Sequence, residues 1–192
     1  MKKLVLASSS LYRQQLLQKL RLNFITCPAE IDESAHAFES GQELAVRLSI
    51  TKAKSVAEHY GEHLIIASDQ VAMHEGQQLR KPGDRDTAIK QLSRQSGLQV
   101  KFHTGLCVMD SANDRYLTAL DTCTVYFRQL GSEQIRHYVD LEQPYDCAGS
   151  FKSEGLGIAL FEKIEGDDPN ALIGLPLIKL VSLLAQFGHP VL

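Results

Sequence analysis

The stretch that decides the fold is Lys3-Leu4-Val5-Leu6-Ala7-Ser8-Ser9-Ser10-Leu11-Tyr12-Arg13. An apolar run from Leu4 to Ala7 stops at three serines, and Leu16, Leu17 and Leu20 then recur at helical spacing. The pattern reads as a buried strand running straight into the N-terminus of a helix, with Arg13 in its first turns. A helix start presents unpaired backbone N–H groups and a partial positive charge, which together attract anions. The dipole contributes only about 0.3–1 kcal/mol. Serine hydroxyls and a fork-shaped guanidinium beside it would turn that bias into a phosphate site. An ordinary serine cap followed by a solvated arginine has the same sequence, so this segment alone leaves both readings open.

Outward from this segment, helices alternate with strands. Phe24 to Cys27 reads as a short strand entering the acidic turn Pro28-Ala29-Glu30-Ile31-Asp32-Glu33, and residues 43–60 have helical spacing that ends at Gly61. Leu64 to Met73 reads as a strand with Glu75-Gly76 as its hairpin turn, and Asp84 caps a helix to about Gln95. Val100–Met109 and Tyr116–Phe127 form two long antiparallel strands joined by Ser111-Ala112-Asn113-Asp114. Ser132 caps a helix to Leu141, a glycine-rich segment from Gly149 to Gly157 follows, and a last helix spans roughly 176–187 with proline in its first turn. The expected class is α/β, a mixed sheet flanked by helices in a single domain over 1–192.

Composition narrows the function classes. The 192 residues are 44% hydrophobic and 22% charged, with a net charge of −3, so duplex nucleic acid is not the expected partner. The longest apolar runs are too short to span a bilayer, and the first strand starts where a signal peptide would lie. Cys27, Cys107, Cys123 and Cys147 form no C-x-x-C pair, which suits buried thiols in the cytoplasm.

Asp69 is the strongest candidate for chemistry. It follows the apolar run Leu64-Ile65-Ile66-Ala67, where the end of a strand would hold a carboxylate in a fixed position. Ser68-Asp69 alone also fits a strand-terminating turn. Lys81-Pro82 lies across the expected hairpin and would return a lysine toward Asp69. Lys52 shares a helical face with Arg47, Thr51 and Lys54, a face that is also that of a solvated helix. Glu30, Asp32 and Glu33 form a second acidic group. Carboxylates opposite phosphate-binding cations are what a magnesium-assisted phosphoryl site requires, the metal taking oxygen ligands and several waters. A carboxylate beside a metal and a lysine is expected to stay ionised at neutral pH.

Other patterns carry less. Gly149-Ser150-Phe151-Lys152-Ser153-Glu154-Gly155 lacks the spacing of a Walker loop, and Gly61 breaks the helix between His59 and His63. No serine stands in a nucleophile elbow. Asp167-Asp168-Pro169-Asn170 reads most simply as a turn and helix start.

Taken in order, the motifs resemble those of the Maf-like nucleoside triphosphate pyrophosphatases. They are Leu6-Ala7-Ser8-Ser9-Ser10 with Arg13, Ile31-Asp32-Glu33, Lys52-Ala53, Ser68-Asp69, Lys81-Pro82, Thr104-Gly105, Tyr145-Asp146-Cys147-Ala148-Gly149-Ser150 and Gly174-Leu175-Pro176. Ser68-Asp69-Gln70 and the segment from Cys147 to Gly155 are similar to the YceF-type branch, associated with 7-methyl-GTP. The resemblance implies hydrolysis of a nucleoside triphosphate to the monophosphate and pyrophosphate, with a divalent cation (Mg, Mn or Co). It implies Asp69 as proton acceptor, and Ser8, Arg13, Lys52 and Lys81 at the phosphates. It further implies Tyr12, Gln70 and Glu154 as specificity positions. Asp69 and Glu33 are the candidate carboxylates for the metal. The implied fold is that of inosine triphosphate pyrophosphatases, elongated with a central cleft, as a homodimer. The alternatives are a dTTP or UTP pyrophosphatase of the sister branch and a non-catalytic nucleotide-binding regulator of septum formation. Gln14 stands where many relatives have a second arginine, and Leu11 where they often have proline.

Overall fold

The computed structural model describes residues 2–192. Strand β1 (Lys3–Leu6) turns through the serines into helix α1 (Leu11–Gln18), as the opening segment requires. Ser10 is the N-cap, its Oγ accepting from the Arg13 N–H at 3.4 Å. After β2 (Phe24–Thr26), α2 (Gly41–Ala57) starts two residues earlier than its apolar spacing suggests. The reason is a capping box: the Ser40 side chain accepts from the Glu43 N–H, and Glu43 accepts from the Ser40 N–H. Strand β3 (His63–His74) returns through Glu75-Gly76 into β4 (Gln77–Leu79), and α3 (Arg85–Gln95) is capped by Asp84. Strands β5 (Gln99–Asp110) and β6 (Arg115–Phe127) precede α4 (Ser132–Glu142). The N-cap of α4 is Gly131 rather than Ser132, because Gln134 Oε1 accepts its N–H at 2.8 Å. A 3₁₀ turn (Leu156–Leu160), β7 (Phe161–Glu165), a second 3₁₀ turn (Ala171–Ile173) and α5 (Leu177–Gln186) complete the chain.

The seven strands form one mixed sheet in the order β2-β1-β3-β5-β6-β7, with β4 paired to β3. Strand β1 runs parallel to β2 and β3, Leu4 facing Phe24 on one side and Leu64 on the other. The β3–β4 and β6–β7 pairs are antiparallel.

The chain divides into two compact units, neither contiguous in sequence. The first comprises the N-terminal stretch through Gln70, Thr104–Asp121 and Asp168–Leu192. Its strands alternate with period two, and both sheet faces are covered. Leu4, Leu6, Leu64, Ile66, Leu106 and Val108 pack with Leu16 and Leu17 of α1 and Leu180 and Leu184 of α5. Val5, Ala7, Ile65, Ala67, Cys107 and Met109 pack with Ala53 and Val56 of α2. The second unit, Val71–His103 with Thr122–Asp167, packs α3 on α4 and closes around four phenylalanines.

Among the described residues no helix is long and apolar enough to cross a membrane. The four cysteines are free thiols.

Candidate active site

In the first unit the alternation of β3 decides where each polar side chain goes. Ile65 and Ala67 face α2, so Asp69 continues that face, while Ser68 and Gln70 share the opposite one with Leu64 and Ile66. Asp69 lies within β3, not at its end, because the strand continues to His74. Pairing on through the hairpin, with Ala72 opposite Leu79, replaces the turn that Ser68-Asp69 permits in isolation.

Helix α2 brings a cation to this carboxylate. Gly105 on β5 makes the close approach possible: a Cβ there would lie 2.2 Å from the Ala45 carbonyl oxygen. Two turns further along the buried face, Lys52 reaches Asp69, its Nζ donating to Oδ1 at 2.5 Å. The same Nζ is 2.6 Å from Glu33 Oε1, so one ammonium joins two carboxylates. Lys52 and Asp69 are both only 7% exposed. Arg47 anchors the loop that delivers Glu33, donating to Ser34 O at 2.9 Å and to Glu39 Oε1 at 2.6 Å. That guanidinium holds the Glu39 carboxyl at about 2.

Arg13 completes the charge distribution. Its Nε donates to Gly174 O at 2.9 Å, and it lies within electrostatic reach of Asp69 and Glu33. Burial pulls its pKa below the ordinary arginine value while both carboxylates oppose that pull. Burial likewise pushes the Asp69 carboxyl above the usual aspartate range. Lys52 and Arg13 pull it down without cancelling the rise, and Glu33 adds to it. The neighbouring lysine therefore does not set the direction by itself; removal from water does.

Ser8 is buried beside the start of α1, its Oγ accepting the Ser10 N–H at 3.1 Å. Tyr12 is half-buried in the first turn of that helix. Gln70 turns its amide nitrogen toward Ala171 O at 2.9 Å, Leu172 O at 3.0 Å and Thr104 Oγ1 at 3.2 Å.

The first unit thus brings Arg13, Glu33, Lys52 and Asp69 into one charged region, with Ser8 at the start of the helix that carries Arg13. Lys81 and Glu154 belong to the second unit, where both are exposed. Glu142 organises the segment around Glu154, its Oε2 accepting the Leu156 N–H at 2.9 Å and its backbone carbonyl accepting from Lys152 Nζ at 2.9 Å. The Cys147 thiol, pushed up to about 12 chiefly by burial, is no nucleophile at neutral pH.

Among the described residues no three His, Cys, Asp or Glu side chains cluster closely enough to hold a metal by themselves. Two carboxylates converging on one ammonium nevertheless offer hard oxygen donors of the kind magnesium takes, with waters and substrate oxygens filling its remaining positions. The donor set fits a cation that arrives with a phosphate ligand.

Asp168, which the sequence places in a simple turn, is a structural cap. Its Oδ1 accepts from the backbone and side-chain N–H groups of Asn170 at 2.8 Å, and its Oδ2 accepts from the Ile178 N–H at 2.7 Å. Ser68, Thr104 and the backbone of 171–174 also bear on the site, and no side-chain pattern marks those carbonyls. The signal was the glycine of Gly174-Leu175-Pro176, whose φ of +118° only glycine adopts readily.

The family model described as "Maf-like protein" matches residues 3–187. Three relatives carry the name 7-methyl-GTP pyrophosphatase. The Colwellia psychrerythraea protein is 53% identical over 100% of this chain and 96% of its own. The Alcanivorax borkumensis protein is 55% identical over 96% of this chain and 94% of its own, and that of Pseudomonas aeruginosa 51% over 96% of each. Two solved structures share the fold at low identity. The Coxiella burnetii HAM1 protein has a TM-score of 0.50 at 16% identity, covering 97% of this chain and 100% of its own. The Staphylococcus aureus Ham1 protein has a TM-score of 0.50 at 14% identity, covering 80% and 88%.

Proposed function

Because the chain belongs to the Maf-like family, we propose that it hydrolyses 7-methyl-GTP to 7-methyl-GMP and pyrophosphate. The observation that carries the reading is the buried Lys52–Asp69 pair, with Glu33 sharing the lysine and Arg13 in electrostatic reach. Relatives of about half identity bearing that activity in their names supply the substrate.

In this reading the triphosphate lies against the first turn of α1, with Ser8, Arg13 and Lys52 as contacts. Lys52 engages Asp69 Oδ1, which leaves Oδ2 for the attacking water. Asp69 orients that water and accepts its proton as the oxygen attacks the α phosphorus. The bond from the α phosphorus to the bridging oxygen breaks, and pyrophosphate leaves with the electron pair. Arg13 and Lys52 neutralise charge on the departing group. A divalent cation held by Asp69 and Glu33 would supply further neutralisation of the phosphates. The raised Asp69 pKa makes the carboxylate a better proton acceptor than an exposed aspartate. Tyr12 stacks on the electron-poor methylated purine.

Pyrophosphate release from 7-methyl-GTP, GTP, dTTP and UTP, each with Mg²⁺, Mn²⁺ and Co²⁺, tests the reading. Preference for 7-methyl-GTP is the expected result. Preference for dTTP or UTP assigns the sister activity, and binding without turnover assigns the regulator. Light scattering on the eluting protein reads the homodimer that the family resemblance implies.

A further inference from the structure

Between β2 and α2 the chain runs from Cys27 to Ser40 without helix or strand. Its first residues are held by packing, since Cys27 and Ala29 lie against the apolar face that α2 covers. From Asp32 to Phe38 every side chain is exposed, Glu33 among them, so apolar burial does not fix this part of the loop. Glu33 nevertheless meets Lys52 at 2.6 Å. A polar clamp takes the place of a core. Arg47 Nε donates to Glu39 Oε1 at 2.6 Å and its Nη2 to Glu39 Oε2 at 2.9 Å, a two-bonded fork that a guanidinium is shaped to make. The same Nη2 donates at 2.9 Å to Ser34 O, on the residue directly after Glu33.

Glu39 passes the constraint on. Its Oε2 accepts the His36 N–H at 2.9 Å, and its own N–H donates to His36 O at 3.2 Å. Between these two residues Phe38 takes a left-handed φ of +64°, which a bulky side chain holds only where its surroundings impose it. Asp32 Oδ1 accepts the Ser34 N–H at 2.9 Å, so Glu33 lies between two tied residues. Arg47 and Lys52 stand on the same helix, which therefore grips the loop twice, at the backbone beside Glu33 and at the Glu33 carboxylate. We propose that Arg47 and Glu39 are positioning residues, their ion pair setting the loop so that Glu33 stands against Lys52, opposite Asp69. The assignment rests on the pyrophosphatase reading, in which Lys52 and its carboxylates handle the phosphates and the attacking water. Arg47 touches no reacting atom there and acts through Glu33.

The test is a double-mutant cycle on kcat with the best triphosphate of the panel, using Arg47→Met, Glu33→Gln and both together. Amide exchange at Ser34, His36 and Glu39 is followed in the same proteins. Misplacing a group by about 1 Å costs up to about a hundredfold in rate. Arg47→Met is expected to lose kcat to that extent and to speed exchange of those amides while α2 stays protected. In the Glu33→Gln protein, whose kcat has already fallen, adding Arg47→Met should cost about twofold or less, because the group it positions is gone. Glu39→Gln is nearly isosteric, weakens the same fork from its other side, and carries the cycle if Arg47→Met does not fold. Equal losses in both backgrounds make Arg47 independent of Glu33 and overturn the inference. Full kcat in Arg47→Met or in Glu33→Gln overturns it as well. If the wild-type protein turns over no triphosphate, the functional reading falls and exchange decides the clamp by itself. Amides as slow in Arg47→Met as in the wild type then overturn the clamp, and faster ones uphold it.

Discussion

In the first unit the interior holds Lys52, Asp69, Asp110, Asp121 and Asp168, whereas the second unit buries no lysine or aspartate among the described residues. Its interior is organised instead around Phe151, whose ring meets Phe102, Phe127 and Phe161 edge to face at 4.8–5.7 Å between centroids. Even within the first unit the buried charges differ. Asp121 pairs with Lys179, Asp110 with Lys2, and Asp168 with backbone N–H groups, each closing a local structural contact. Asp69 shares its cation with Glu33 and is pushed upward by burial. In the proposed reaction a charge held against its solvation preference serves as the base, whereas aromatic packing is arranged for stability.

Asp69→Asn should break the first unit's role without touching the second. Loss of the base is expected to lower kcat about 10²–10⁴-fold, with the thermal midpoint read on the same sample to show that the fold remains. Phe151→Ala should do the converse, costing about 3–5 kcal/mol of stability, measured by denaturant unfolding.

Lys52→Met sharpens the contrast through pH. Asp69 must be deprotonated to accept a proton, so activity falls as pH drops through its raised pKa. Lys52 pulls that pKa down, so removing it moves the acid limb of kcat/KM to higher pH. A limb that stays in place detaches the profile from Asp69. Tyr12→Ala should have the smallest effect. Cation–π attraction of about 0.5–2 kcal/mol corresponds to a roughly two- to thirtyfold loss of preference for 7-methyl-GTP over GTP, read from competing kcat/KM values.

The fold was legible wherever the sequence pattern was local. Alternation along Leu64–Ala67, the Glu75-Gly76 turn and the Asp84 cap all lie where their neighbours place them. Boundaries shifted where a side chain reached back across several residues, as in the Ser40–Glu43 box and the Gln134 contact to Gly131. For the site, the residue types at Asp69, Lys52 and Arg13 were readable, and so was the strand that carries Asp69 from Leu64 toward Met73. The direction of its pKa was not, because tertiary burial outweighs the lysine. The carbonyls of 171–174 were invisible for a simpler reason: every residue has one, and only folding selects which receive a donor.

The central claim is that the charged interior of the first unit activates water against the α phosphorus. It is tested most directly by running the reaction on 7-methyl-GTP in water enriched in heavy oxygen and weighing the products by mass spectrometry. The expected result is one heavy oxygen in the nucleoside monophosphate, none in the pyrophosphate, and labelled monophosphate nearly lost with Asp69→Asn. Label in the pyrophosphate, or labelled monophosphate formed by Asp69→Asn at the wild-type rate, would contradict it.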